Sequence, residues 1–247
     1  MSAGPATDPV IWHDVECAAY DTDLPLWREL AEAAGGPILD IGAGTGRVAL
    51  DLAARGHDVT ALDVEPALLR ALSERARERG LRVRTQVADA RSFALGREYA
   101  LAIAPMQVVQ LLGGQAGRLS MLGSVREHLP PGGVFAAALA DPFEGVPVED
   151  AAPPVPDVRE QDGWVFSSTP VAVRPEAGST AIDRLRQSVS PEGELDEAVT
   201  TIHLDDAPPE ELEHLGASLR MRTLPRRQVP GTGDYVGSVV VMLERLP

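Results

Sequence analysis

Three glycines at alternate positions, Gly42, Gly44 and Gly46, stand between the apolar run Ile38–Ile41 and an amphipathic segment, Arg47–Arg55. Glycine accepts positive φ and admits a ligand close to the backbone. A helix that starts just after such a turn presents unpaired N–H groups. The pattern therefore reads as strand, tight turn and helix, built to hold a nucleotide-like cofactor. Carboxylates and an amide recur at matching places downstream. Asp40 lies in the first apolar run, Asp63 closes the second, Asp89 follows the third, Gln107 the fourth and Asp141 the fifth. An acidic residue about 20 positions past the first glycine can accept hydrogen bonds from both ribose hydroxyls. A dinucleotide site of the form G-x-G-x-x-G needs its third glycine where this chain has Arg47.

Composition narrows the classes. The 247 residues carry 22 Lys+Arg against 37 Asp+Glu, a net charge of -15. That field repels phosphate backbones, so a nucleic-acid partner is disfavoured. Cys17 is the single cysteine, which excludes an internal disulfide and a cysteine-based zinc site. None of the five histidines has ligand spacing, and no metal is expected. The first residues lack a basic stretch leading into an apolar core, and Tyr99–Leu112 is too short to span a bilayer. The expectation is a cytoplasmic chain with no membrane partner.

The positioning elements follow from periodicity and punctuation. Met1–Asp23 reads as a mixed arm, followed by a helix over Leu24–Ala34. After the glycine turn come strands at His57–Asp63, Leu81–Val87, Tyr99–Ala104 and Val134–Leu139, with helices starting near Pro66 and Gly117. Apolar strands alternating with helices predict a parallel sheet covered on both faces, with ligands bound outside the strands' carboxyl ends. Val146–Asp157, rich in Pro, Ala and acids, reads as a linker. Three strand-like runs follow, Val158–Val173, Thr180–Ser190 and Glu197–Leu204, predicting an antiparallel meander. A helix at Pro208–Ala217 and strands at Leu219–Gln228 and Val236–Leu246 complete the chain. The expected organisation is a cofactor-binding core over 1–143, a linker and inserted β lid over 144–206, and a closing helix and strand pair over 207–247.

The pattern Asp40-x-Gly42-x-Gly44-x-Gly46, Asp63 after the second strand, Asp89-Ala90 after the third and Pro130-Pro131-Gly132-Gly133 before the fifth resembles class I S-adenosylmethionine-dependent methyltransferases. The inserted sheet makes it similar to their small-molecule branch, such as bacterial natural-product and sugar N-methyltransferases. The resemblance implies an α/β fold: a seven-stranded, Rossmann-like, mostly parallel sheet with an antiparallel lid after the fifth strand. It implies S-adenosylmethionine as cofactor and S-adenosylhomocysteine as product. Asp40 would sit near the cofactor's amino group, and Gly42, Ala43 and Gly44 under its ribose and methionine portion. Asp63 and Val64 would meet the ribose, Asp89 and Ala90 the adenine, and Pro105 and Met106 the same groove. Tyr20 would lie beside the sulfonium, or anchor the arm by packing. Gln107 is read as positioning the acceptor, and Gln110 as a solvated helix-face residue. Phe143, Trp164 and Tyr235 are expected at the acceptor, a small molecule methylated on O or N by in-line displacement. A homodimer through the inserted sheet is plausible. An NAD-dependent oxidoreductase and a non-catalytic cofactor-binding protein remain the alternatives.

Overall fold

The computed structural model describes residues 7–140, 155–232 and 235–247. Its larger sheet contains β1 (Ile38–Ile41), β2 (Val59–Asp63), β3 (Val83–Val87), β4 (Leu101–Ala104), β5 (Val134–Ala140), β10 (Met221–Val229) and β11 (Ser238–Arg245). The spatial order is β10-β11-β5-β4-β1-β2-β3. Strands β1 to β5 pair in parallel, and β11 runs antiparallel to both β5 and β10. Every parallel carboxyl end therefore lies at one rim, and the end of β10 joins them. This is the Rossmann-like arrangement the sequence implies.

The strand period of two splits the core into two layers. Ile38, Val59, Ala61, Leu101 and Ile103 pack under α2 (Leu24–Ala34), α3 (Arg47–Ala54) and α4 (Pro66–Glu78). Leu39, Ile41, Leu62, Ala102 and Ala104 face α5 (Gly114–Glu127) and α6 (Pro209–Ser218). Asp40, in step with Ile38, consequently turns toward the α3 side. The two rims of the sheet are polar. Four of the five residues of β3, Arg84 to Val87, are exposed, so the third strand is an open edge and lacks the double cover expected for it. At the other rim β10 carries Pro225 and shifts register between Leu224 and Arg227. Its Arg226 pairs with Glu210 and Glu213, and its Arg227 with Glu29.

The arm differs from the expectation. Pro9–Cys17 forms a helix, α1, started by Asp8, whose side chain accepts the Val10 N–H at 2.8 Å. Proline at the first helical position fits that start. Asp23 does not cap α2. Its carboxylate accepts Trp27 Nε1–H at 2.7 Å and both Nη groups of Arg47, at 2.5 and 2.8 Å.

The insertion is a four-stranded sheet, β6 (Asp157–Gln161), β7 (Trp164–Glu176), β8 (Ser179–Val189) and β9 (Leu195–Asp205), in that order. The run Val158–Val173 is thus two strands. Asp162 (φ 52°) and Gly163 (φ 80°) fold it back on itself, because Asp-Gly suits the two-residue hairpin that needs positive φ at both positions. The sheet seats on α1. Phe166 meets the Trp12 ring edge-on at 5.7 Å, inside a cluster with Ile11 and Val15. Glu16 accepts Ser168 Oγ–H and Arg186 Nε–H, both at 2.8 Å. Arg159 reaches Asp14 at 3.0 Å.

Candidate functional site

The strand rim encloses a cleft of about 380 Å³. Asp40, Gly42, Ala43, Asp63, Val64, Asp89, Ala90, Pro105, Met106 and Gln107 all line it. Residues that span 68 positions of chain converge because parallel strands place their carboxyl ends together.

The floor is the glycine turn. Gly42, Gly44 and Gly46 hold φ of 68°, 54° and 94°. A Cβ on Gly42 would collide with Val108, one on Gly44 with the His13 ring, and one on Gly46 would come 2.6 Å from Leu72 Cγ. The first glycine thus keeps the backbone bare toward the cleft, the second lets His13 of α1 pack close, and the third does the same for α4. Gly44 does not itself line the cleft; its N–H donates to Asp63 Oδ2 at 2.8 Å, while Asp63 Oδ1 accepts the Glu65 N–H at 2.9 Å. Each Asp63 oxygen therefore retains accepting capacity.

Asp40 is 1% exposed, and neither of its carboxylate oxygens has a hydrogen-bond partner. Burial pushes its carboxyl up to about 7, against the pull of the Arg47 charge; Asp63 pushes the same way, and the Ala49 amide dipole lowers it without closing a bond. An unpaired buried acid is costly, and either a held proton or a cation beside it would offset that cost. Asp89, at the far end, is partly exposed and gripped by Arg91, whose Nη2–H reaches it at 2.6 Å, and that bond holds its carboxyl below the usual range. Val64, 67% exposed, and Leu111, 56% exposed, supply apolar surface along the same cleft. Met106 takes a left-handed φ of 57° just after β4, a strained conformation of the kind that clusters at functional sites. Among the described residues no group of three or more His, Cys, Asp and Glu is arranged to hold a metal.

Several expected site residues lie elsewhere. Tyr20 is 6% exposed, packs its ring 4.9 Å from that of Tyr235 and carries the Arg47 guanidinium 5.0 Å above it. Burial, with Asp23 nearby, pushes its phenol up to about 12. Neither tyrosine lines the cleft. Trp164 stacks on Phe166 at 6.0 Å, on the far side of α1. Phe143 falls outside the described residues. Gln110 is buried, contrary to the solvated reading, and grips the Ala140 backbone: Nε2–H donates to its carbonyl at 2.9 Å and Oε1 accepts its N–H at 3.0 Å. No described residue of the insertion lines the cleft, because α1 stands between them. The inserted sheet backs the wall and is not a direct lid.

Among the cleft residues with polar or ionisable side chains, Arg47, Arg91 and Cys17 were not named from the sequence, and His13 only as a residue that could approach the site. Arg47 and Arg91 were legible as the positions after Gly46 and Ala90. His13 and Cys17 depend on α1, which gave no clear periodic signal. Burial pushes the Cys17 thiol up to about 12, so it stays protonated.

Residues 38–133 match a family model described as a methyltransferase domain. That matched segment, 96 of the 247 residues, spans the glycine turn and the cleft residues from Asp40 to Leu112. Among solved structures the whole chain is similar to the sugar N-methyltransferase KedS8 from a Streptoalloteichus species, with a TM-score of 0.76, 17% identity and coverage of 96% of this chain and 92% of that one. It is similar to DesVI of Streptomyces venezuelae, with a TM-score of 0.72, 18% identity and coverage of 98% and 99%. It is also similar to CalS10, an amino pentose methyltransferase from Micromonospora echinaspora solved with S-adenosylmethionine, with a TM-score of 0.70, 20% identity and coverage of 94% and 96%. At such identities the likeness is one of fold. Among curated proteins, Hemagglutinin 1 of Eikenella corrodens is 33% identical over 96 residues, 38% of this chain and 31% of that protein. The chain thus matches less than a third of that relative's length.

Proposed function

We propose that this protein transfers a methyl group from S-adenosylmethionine to a nitrogen or oxygen of a small-molecule acceptor. The observation that carries the reading is Asp40: a buried carboxylate with no partner, at the floor of a glycine-lined cleft inside the segment that matches the methyltransferase family model. The residues fit the cofactor. Asp40 would hold its α-ammonium, Asp63 its ribose hydroxyls, and Asp89 with Ala90 its adenine, the ring lying along Val64. When bound, S-adenosylmethionine supplies an electrophilic methyl on a sulfonium. Arg47 stands where a G-x-G-x-x-G turn needs its third glycine, which argues against the oxidoreductase reading.

The chain's task is then alignment and exclusion of water. Holding donor and acceptor in line supplies about 7–11 kcal/mol of the barrier. Gln107, on the wall after strained Met106, would orient an acceptor N–H or O–H. Solved neighbours described as sugar and glycopeptide N-methyltransferases support an amine on a sugar-like acceptor. The exposed Val158, Val165, Leu195 and Val199 of the inserted sheet support a homodimer, which sedimentation would register. Among the described residues no helix is long and apolar enough to cross a membrane.

Calorimetry with S-adenosylmethionine, S-adenosylhomocysteine and NADH tests the cofactor, and a labelled-methyl assay over amino sugars, phenols and alcohols tests the acceptor. Micromolar binding of the first two without NADH is expected. NADH binding without S-adenosylhomocysteine binding overturns the proposal.

A further inference from the structure

Thr45 and Asp14 fix the tautomer of His13. Thr45 Oγ1 lies 2.8 Å from Asp14 Oδ1 and 3.3 Å from His13 Nδ1. Asp14 is 3% exposed and tied to both Arg75 and Arg159. Burial alone would raise its carboxyl, but the Arg75 and Thr45 hydrogen bonds and the two arginine charges outweigh that and hold it below the usual range. An ionised carboxylate only accepts, so the single Thr45 hydroxyl proton is committed to Asp14. Toward His13 the Thr45 oxygen can then only accept, and the imidazole must donate from Nδ1. The other nitrogen, Nε2, is left with a bare lone pair.

The ring that carries that lone pair stands at the cleft wall. It packs directly on Gly44, with Nε2 the atom closest to where a Cβ there would stand. The ring is kept neutral by burial, which outweighs the upward pull of Asp14, Asp63 and Glu16; Arg75 lowers it further. Gly44 itself is bonded to Asp63 through its N–H. A ligand in the cleft therefore meets Asp63 and the His13 ring on its wall, and Nε2 is the one ring nitrogen not engaged by Thr45. A ribose offers two adjacent hydroxyl donors, and both Asp63 oxygens already serve a backbone N–H.

We propose that His13 Nε2 is a second hydrogen-bond acceptor for the ribose of the cofactor, preset by the Asp14–Thr45 relay. This makes α1 part of the nucleoside site and His13 a ligand-binding residue. The proposal rests on the reading of the cleft as a nucleoside site.

The test uses the full chain and two probes, S-adenosylhomocysteine and 5′-methylthioadenosine, which keeps the ribose but lacks the amino acid portion. In calorimetry His13→Ala is expected to weaken both by the same factor, about tenfold, equivalent to about 1.4 kcal/mol. His13→Gln, which restores a neutral acceptor, is expected to recover most of it, with thermal melting showing each variant folded. In the free protein, ¹⁵N spectra are expected to show proton-bearing Nδ1 and bare Nε2. An Nε2–H tautomer, unchanged affinity in His13→Ala, a loss confined to S-adenosylhomocysteine, or an equal loss in His13→Gln each overturns the proposal. Failure of the wild-type protein to bind S-adenosylhomocysteine overturns instead the cofactor reading beneath it.

Discussion

Replacing Asp40 by Asn sets stability against binding. The Asp40 carboxyl sits at about 7 in the fold, raised first by burial, whereas in the unfolded chain it has the ordinary value of about 3.9. Between those values the folded protein holds a proton that the unfolded chain has released. Stability from this group is therefore fully present below pH 4 and lost as pH rises through 7. Some three pH units at 1.36 kcal/mol each give a penalty of about 4 kcal/mol, complete by pH 8 and roughly 1.5 kcal/mol at pH 5. Asn resembles the protonated acid and does not titrate. Asp40→Asn is thus expected to be more stable than wild type by about 4 kcal/mol at pH 8 and by much less at pH 5, read from urea midpoints at matched pH. The same variant loses the charged partner of the ligand's α-ammonium, worth about 1.5–3 kcal/mol, so S-adenosylhomocysteine affinity at pH 8 should fall ten- to a hundredfold. A stability difference that stays flat from pH 5 to pH 8 would show that Asp40 is ionised and paired in the fold, and the argument for a cation site would collapse.

Three further outcomes follow from named contacts. Asp63→Ala should cost about 1.5–3 kcal/mol of ligand affinity by calorimetry. It should also lower the melting temperature, since the Gly44 and Glu65 amides lose their acceptor; unchanged affinity would remove Asp63 from the site. Gly44→Ala places a Cβ at φ 54° against His13, costing about 1–2 kcal/mol from backbone conformation alone; a variant as stable as wild type in denaturant would contradict the packing. Glu16→Ala frees Arg186 and Ser168 of the inserted sheet. A loss of about 1.5–3 kcal/mol is expected there, at the low end because Arg186 is partly solvated, and hydrogen exchange should rise first in β7 and β8.

The parallel core was legible because its signals are local. Apolar strand runs, glycine and proline punctuation and the spacing from Gly42 to Asp63 and Asp89 predicted the strand rim and its carboxylates. Helix α1 was not, since nine residues with Ile11, Trp12 and Val15 as their apolar stripe look like an arm until Phe166, more than 150 positions away, packs on them. The reading of Tyr20 at the cleft and of the insertion as its direct cover both failed at that point. Gln110 misled for a related reason: an amide on a short helical turn looks solvated unless the backbone of β5 is known to lie against it. The Asp162-Gly163 hairpin was in plain view, but the long β-like run around it hid the turn.

The polar rims of the large sheet have a consequence for colloidal behaviour. An exposed strand edge is a template on which another chain can add itself. Here β3 offers Arg84, paired with Asp58, and β10 offers a kinked backbone, a proline with no amide to donate, and arginines already held by Glu29, Glu210 and Glu213. A newcomer at either rim would have to fit its backbone beside these ion-paired side chains, and at Pro225 it would find no amide to bond. Runaway growth of the sheet into filaments is thereby obstructed at both ends, in a chain whose net charge of -15 also opposes indiscriminate association.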